Sequence, residues 1–270
     1  MTGVLSCGVA QLSSGRVHFR TFTGSEERPL LLLLHQSPLS SRRFQRLLPQ
    51  LADLVQPVAL DTPGYGESDP PAYEWEVADY SRMLFEFADW WGAQTFALFG
   101  RATGSVFAVD AAASRPDRVS ALMVYGLPVY TEEEKRDRLA SFAPPYQVDR
   151  DGGHLKWIWQ RIQGEYPWAP PELLTELVHD YLSAGPDFAT GYRSIWRYEL
   201  RPALARLQVP TLLIGGGADR VAYMYERARA CLPGAQTVVL DEATDFVAEQ
   251  RPEEFAKVLR DFLAPIIGAA

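Results

Sequence analysis

The sequence predicts an α/β domain with a mostly parallel central sheet, because short apolar segments alternate with segments of helical periodicity. Residues 16–23 alternate like a half-buried strand, whereas residues 29–35 form an apolar stretch typical of a strand covered on both faces. Further short apolar segments span residues 55–60, 95–99, 119–125, 210–214 and 236–240. Segments with helical spacing span residues 41–51, 75–91, 102–114, 221–231 and 252–263. This alternation favours a doubly wound sheet, in which ligands bind beyond the carboxyl ends of the strands.

The alternation stops between residues 128 and 204. This stretch has no clear strand pattern, and its two Pro-Pro pairs break it into short segments. The pattern predicts a helical cap inserted into a core that comprises residues 1–127 and 205–270. Four of the seven tryptophans lie in the cap, and three of them, Trp157, Trp159 and Trp196, are candidate ligand contacts. The same side chains are equally able to pack the cap against the core.

Composition limits the class of partner. Hydrophobic residues make up 47% of the chain and charged residues 22%, as in ordinary globular proteins, and the formal net charge is -8. That charge disfavours nucleic acids and anionic membranes, so a small-molecule partner is expected, and a homodimer stays open. The chain shows no export signal, and its longest apolar segment is too short to cross a bilayer, so a cytoplasmic location is expected.

The sequence shows no metal-ligand spacing, phosphate loop or dinucleotide fingerprint. We therefore expect neither a metal nor a cofactor. Cys7 and Cys231 lie far apart in the sequence and are expected to be reduced, buried thiols.

Three motifs occur in order along the chain. They are His35-Gln36-Ser37-Pro38 after a buried strand, Asp61-Thr62-Pro63-Gly64-Tyr65-Gly66-Glu67-Ser68, and Gly100-Arg101-Ala102-Thr103-Gly104. Together they resemble the His-Gly-x-Pro turn, the Asp-x-Pro-Gly-x-Gly-x-Ser loop and the nucleophile elbow of the α/β-hydrolase superfamily. The resemblance extends over about residues 15–262, and it implies the α/β-hydrolase fold with a mostly parallel sheet, flanking helices and an inserted helical cap.

The resemblance also implies roles for individual positions. The backbone amides of Ser37 and Thr103 match the oxyanion hole, and Asp219 matches the acid of the catalytic triad. Ala102 stands at the nucleophile position and Asp245 at the histidine position. Because a methyl group cannot attack a carbonyl, the resemblance argues against a covalent acyl-enzyme.

The remaining polar groups define the chemistry left to the site. If Asp219 and Asp245 approach each other across a water-filled gap, each carboxylate raises the proton affinity of the other, and one of them serves as acid or base. Arg101 or Arg220 can cancel this effect or hold an anionic substrate, although a solvated surface position is the simpler interpretation of Arg220. Gln36 and Arg101 are further candidate substrate contacts. His154, beside two glycines in the cap, is the best candidate to replace the missing base.

Three functions follow from these residues. The leading hypothesis is a cofactor-independent lyase, isomerase, cyclase or water-mediated hydrolase that acts on a small, partly aromatic or carbonyl-bearing molecule. In it the amides of Ser37 and Thr103 stabilise an oxyanion while Asp245 or His154 moves a proton. A second hypothesis is an esterase or C–C hydrolase inactivated by an engineered Ala102, and a third is a ligand-binding pseudoenzyme.

Overall fold

The computed structural model describes residues 3–142 and 144–268. In this part of the chain, eight strands form one sheet. In chain order they are β1 (Leu5–Leu12), β2 (Gly15–Phe22), β3 (Leu30–Leu34), β4 (Gln56–Leu60), β5 (Phe96–Arg101), β6 (Val119–Tyr125), β7 (Thr211–Gly216) and β8 (Gln236–Leu240). Their order across the sheet is β1-β2-β4-β3-β5-β6-β7-β8. The pairs β1–β2 and β2–β4 are antiparallel and every other pair is parallel, so the predicted fold class is confirmed.

Two helical layers cover the sheet. The core helices are α1 (Leu48–Leu51), α2 (Val77–Trp91), α3 (Thr103–Ser114), α9 (Tyr225–Cys231), α10 (Val247–Gln250) and α11 (Pro252–Ile267). Apolar side chains of α2 and α3 pack on one face of the sheet, and those of α1 and α11 pack on the other. Because both faces are covered, strands β3, β4 and β5 are buried along their whole length, as uninterrupted apolar segments require.

The cap helices occupy the chain between β6 and β7. They are α4 (Glu132–Ser141), α5 (Gly153–Glu165), α6 (Pro171–Ala184), α7 (Thr190–Arg197) and α8 (Leu200–Ala205). Most of the apolar side chains of α5 and α6 form a separate buried cluster, whereas α8 packs into the core beside α3. None of the described helices combines the length and the apolar character needed to span a membrane.

Two local expectations are wrong. The segment 41–51 forms a 3₁₀ turn (Ser41–Phe44) and then the short α1, because Pro49 has no amide hydrogen for a continuous helix and restricts the residue before it. Cys7 is exposed and Cys231 is half-buried, although both are free thiols as expected. Cys7 lies on β1, which is an edge strand that leaves one face in solvent.

Candidate active site

The turn between β5 and α3 keeps the geometry of a nucleophile elbow although its tip is an alanine. Ala102 has φ 46° and ψ −111°, a conformation that costs a non-glycine residue about 1–3 kcal/mol. Gly100 and Gly104 flank this tip, and each lies so close to other backbone atoms that a side chain would clash with them. A Cβ at Gly100 would lie 2.4 Å from the Gly104 carbonyl oxygen, and a Cβ at Gly104 would lie 2.6 Å from the carbonyl oxygen of His35. The surrounding backbone therefore holds Ala102 in this strained conformation.

A cavity of about 130 Å³ lies above Ala102. The core contributes the elbow, Gln36 and Asp245, and the cap contributes Phe142, Tyr192 and Ile195 among others. Pockets for drug-sized ligands usually measure about 300–1,000 Å³, so this cavity fits a molecule of only a few heavy atoms. It opens beyond the carboxyl end of β5, where ligands bind in doubly wound sheets.

The Arg101 guanidinium fills the space between the two carboxylates at the triad positions. Its Nη2 lies 3.1 Å from Asp219 Oδ1 and 3.0 Å from Asp245 Oδ1, and all three side chains are buried. The predicted water-filled gap is therefore wrong, because the long side chain at the second elbow position reaches across it. Arg101 also lies against the ring of Tyr125, with 4.8 Å between its Cζ and the ring centroid.

The pKa values of the two carboxylates beside Arg101 shift in opposite directions. Burial raises the pKa of Asp219 above its ordinary value, and Arg101 offsets only part of that effect. Burial also opposes ionisation of Asp245, but Arg101 and Arg220 together hold the pKa of Asp245 below its ordinary value. Asp245 is thus a stable carboxylate with low basicity. Oδ2 of Asp219 has no hydrogen-bond partner, and it lies 2.6 Å from where a Cβ of Gly126 would stand.

Arg220 joins the cap to the core, and its charge is paired although its side chain keeps the partial exposure expected of a surface position. Its side chain is 36% exposed, and its Nε donates to Asp245 Oδ1 at 3.0 Å. Its Nη1 donates to Glu165 Oε2 at the end of α5, also at 3.0 Å. The guanidinium lies over the Tyr166 ring, 4.2 Å from the centroid. Arg220 therefore forms a wall of the cavity with partners on both sides.

The two amides matched to an oxyanion hole differ in their availability. The Ser37 amide donates to Thr103 Oγ1 at 2.7 Å, so this donor already has an acceptor within the protein, in contrast to the expectation. The Thr103 amide belongs to the first residue of α3, where no acceptor exists within the helix, and Thr103 lines the cavity. A ligand oxygen can therefore accept from Thr103, but reaching Ser37 requires the Thr103 hydroxyl to move.

His154 lies in the cap, and it is not among the residues that line the cavity. Its Nδ1 is 3.4 Å from the Asp149 amide, and its ring stacks on Tyr146 at 6.2 Å. The neighbouring glycines begin helix α5, with Gly152 in the left-handed conformation and the Asp149 carboxylate accepting from the first amides. These glycines form a helix start, so they do not bring His154 over the cavity.

Trp157 and Trp159 pack within the cap, and Trp196 joins the apolar cluster of the core. Trp157 contacts Tyr146 and Phe188, and Trp196 is buried and stacks on Tyr192 at 5.5 Å. Trp159 packs beside the buried cluster of α5 and α6. The aromatic residues that do line the cavity are Tyr130, Phe142, Tyr192 and Tyr223. Sequence periodicity gave no way to separate these two groups.

Gln36 and Arg138 present polar groups to the cavity. Gln36 stands where the His-Gly-x-Pro motif has glycine, is 5% exposed, and its Nε2 has no hydrogen-bond partner in the structure. Arg138 is a cavity residue that was not predicted from the sequence, and it lies on α4 with its Cζ 5.0 Å from the ring centroid of Tyr130. An arginine near the end of a cap helix made mostly of charged residues carries no sequence signal that marks it as a cavity residue.

Comparison with known proteins identifies the family. The model of the alpha/beta hydrolase family matches residues 31–258. The chain belongs to the α/β-hydrolase family. This α/β-hydrolase chain is 26% identical over 251 residues to 2-(acetamidomethylene)succinate hydrolase of Mesorhizobium japonicum, covering 87% of this chain and 88% of that protein. It is 25% identical over 270 residues to haloalkane dehalogenase 2 of Mycobacterium tuberculosis, covering 92% and 91% of the two chains.

A solved structure shares the fold over almost the whole chain. The crystal structure of E-2-(acetamidomethylene)succinate hydrolase superposes with a TM-score of 0.76 at 22% identity, covering 97% of this chain and 100% of that one. At this identity the likeness concerns the fold alone. The chemistry of this family member must therefore be argued from its own residues.

Proposed function

We propose that this α/β-hydrolase family member binds a small organic molecule in the cavity above Ala102 and forms no covalent acyl-enzyme with it. The observation that carries the proposal is the position of Arg101. Its guanidinium occupies the space in which a triad histidine would contact the acid, and it pairs with Asp219 instead. With alanine at the nucleophile position, neither attack nor removal of a proton from a nucleophile is available there.

The proton transfer in the leading sequence hypothesis receives little support from the site. Asp245 is held ionised by two arginines, which makes it a poor base. Glu165, the other carboxylate that lines the cavity, is paired with Arg161 at 2.9 Å and with Arg220 at 3.0 Å. The geometry therefore favours the ligand-binding alternative over acid–base turnover.

A second candidate function is electrostatic catalysis without a base, as in a lyase or cyclase. The strained elbow favours it, because this backbone conformation presents the Thr103 amide to the cavity at the N-terminus of α3. Amides fixed in this way stabilise negative charge that develops on an oxygen. The two candidates differ in one observable, which is the release of a product.

The engineered-hydrolase alternative explains less of the site. A single replacement of serine by alanine accounts for Ala102, but it leaves both Asp245 and the buried Arg101 bridge without a cause. The named substrate of the M. japonicum relative is a substituted succinate, and relatedness to that enzyme supports a small polar ligand here.

Native mass spectrometry of the purified protein tests the proposal. We expect a non-covalent small-molecule adduct that disappears under denaturing conditions. The variant Ala102→Leu should carry no such adduct, because the larger side chain fills the floor of the cavity. Ala230→Leu, an exposed position on α9, is the matched control and should keep it. A covalent adduct, or a ligand retained by Ala102→Leu, would overturn the proposal, and chromatography of the released molecule after incubation separates binding from turnover.

A further inference from the structure

The charged groups around the elbow balance one another, with one exception. Three arginines and three carboxylates pair among themselves: Arg101, Arg161 and Arg220 with Asp219, Asp245 and Glu165. This cluster is close to neutral as a unit, so it needs no counter-ion from a ligand. The exception is Arg138, which lines the same cavity.

Arg138 has no carboxylate partner among residues 3–142 and 144–268, and its guanidinium lies over the rings of Tyr130 and Trp196. Glu134 stands one helical turn before it on α4, at the spacing expected for an ion pair. The Glu134 carboxylate is engaged elsewhere, since it accepts from the Thr131 amide and from Arg227, both at 2.7 Å. A positive charge without an anionic partner thus faces the cavity.

On the core side, the side-chain amide of Gln36 and the backbone amide of Thr103 belong to residues that line the same cavity. Gln36 Nε2 is buried without a partner, which is unfavourable unless a ligand accepts from it. The Thr103 amide lies at the N-terminus of α3, a 12-residue helix, where the helix dipole favours negative charge. The Ser37 amide already donates to Thr103 Oγ1. The Gln36 side chain is therefore the alternative second donor to a ligand oxygen.

We propose that the ligand is a short oxo-carboxylate: its carboxylate pairs with Arg138, and its carbonyl oxygen accepts from Gln36 Nε2 and the Thr103 amide. The cavity volume of about 130 Å³ limits the molecule to a few carbon atoms. Phe142 and Ile195 supply apolar walls for the hydrocarbon part of the molecule. This inference rests on the proposed function, because it names the ligand class of the same cavity.

Three probes separate the two contacts in titration calorimetry. They are 2-oxopentanoate, its methyl ester, which lacks the carboxylate charge, and pentanoate, which lacks the oxo group. We expect 2-oxopentanoate to bind about tenfold or more tightly than either of the other two probes. The ester loses a charged hydrogen bond to Arg138, and pentanoate loses the two neutral hydrogen bonds to the oxo group.

Matched variants assign each difference to a residue. Arg138→Gln should remove the preference for the acid over its ester, and Gln36→Leu should remove the preference for the oxo acid over pentanoate. Arg136→Gln is the control, because Arg136 is exposed on the same helix and lies outside the cavity, so it should keep both preferences. Gln36→Met provides a second test at the buried position should Gln36→Leu not fold.

Equal binding of acid and ester to the unaltered protein, or variants that leave both preferences unchanged, would overturn this inference. If no probe binds while the purified protein still carries a molecule that Ala102→Leu releases, the oxo-carboxylate class is wrong and the proposed function stands. If Ala102→Leu keeps its bound molecule, the proposed function itself fails.

Discussion

Replacing Arg101 with methionine tests whether the buried ion cluster stabilises the fold. Arg101 pairs with Asp219 and Asp245 at 3.1 and 3.0 Å, and its side chain is 4% exposed. Removing one partner of a buried pair leaves uncompensated charge and costs about 3–5 kcal/mol. The control is Arg16→Met. Arg16 lies 2.8 Å from Asp69 but its side chain is 63% exposed, and an exposed pair of this kind contributes little to stability.

The free energy of unfolding of Arg101→Met should also depend on pH. Without the guanidinium, burial and the nearby Asp245 carboxylate raise the pKa of Asp219 in the folded state further above the unfolded value, whereas Arg220 still pairs with Asp245. Groups with a raised folded pKa bind protons more strongly in the folded state, so stability falls as pH rises through that range. We therefore expect a larger deficit near pH 8 than near pH 5.

Urea denaturation followed by tryptophan fluorescence measures both effects. At about pH 8 we expect Arg101→Met to lose much of its free energy of unfolding and Arg16→Met to lose almost none. Adding Asp219→Asn to Arg101→Met should recover part of the loss, because one of the uncompensated charges is then absent. Deficits that agree within about 1 kcal/mol between the two single variants, or a deficit for Arg101→Met that does not change with pH, would refute the reasoning.

Three further predictions concern single side chains. Ala102→Ser should give no covalent adduct with a fluorophosphonate by mass spectrometry, because no base adjoins the new hydroxyl. An adduct would show that a base does lie beside it. Thr103→Val should lower the free energy of unfolding by about 1–3 kcal/mol, because the Ser37 amide loses its acceptor, whereas Thr103→Ser should keep it; equal losses would contradict this. Burial, together with nearby like charges, raises the pKa of Glu249 to about 8, so stability should fall between about pH 5 and pH 8. Glu249→Gln should flatten that fall in denaturation measured across this range, and an unchanged slope would contradict the assignment.

The fold was predictable because its strongest signals are local. The five leucines of β3 are buried throughout, and a short apolar segment of this kind is typical of a strand covered on both faces. Strand β1 was missed, because it lies at the sheet edge with most of its residues exposed or half-buried, and therefore lacks a clear alternation. Pro49 is the sequence signal for the break within the segment 41–51.

The candidate site was predictable only where backbone motifs position its residues. The elbow fixes Ala102 and Thr103, and the end of β7 and the loop after β8 fix Asp219 and Asp245. The direction of the Arg101 side chain depends on partners more than a hundred residues away, and its flexible chain has many rotamers. The predicted position of His154 over the cavity was wrong for a related reason, because two adjacent glycines are equally typical of a flexible loop and of the start of a helix.

The three unusual residues of the site are best understood as one change. A histidine at position 245 would need access to Asp219, and the Arg101 guanidinium occupies that contact. An aspartate at position 245 is instead the partner that the same guanidinium requires, because one buried carboxylate with a raised pKa does not compensate it fully. Once this ion cluster forms, a serine at position 102 has no route to lose its proton. We therefore expect that Ala102→Ser alone restores no acyl transfer, while Thr103 and Gln36 continue to line the cavity.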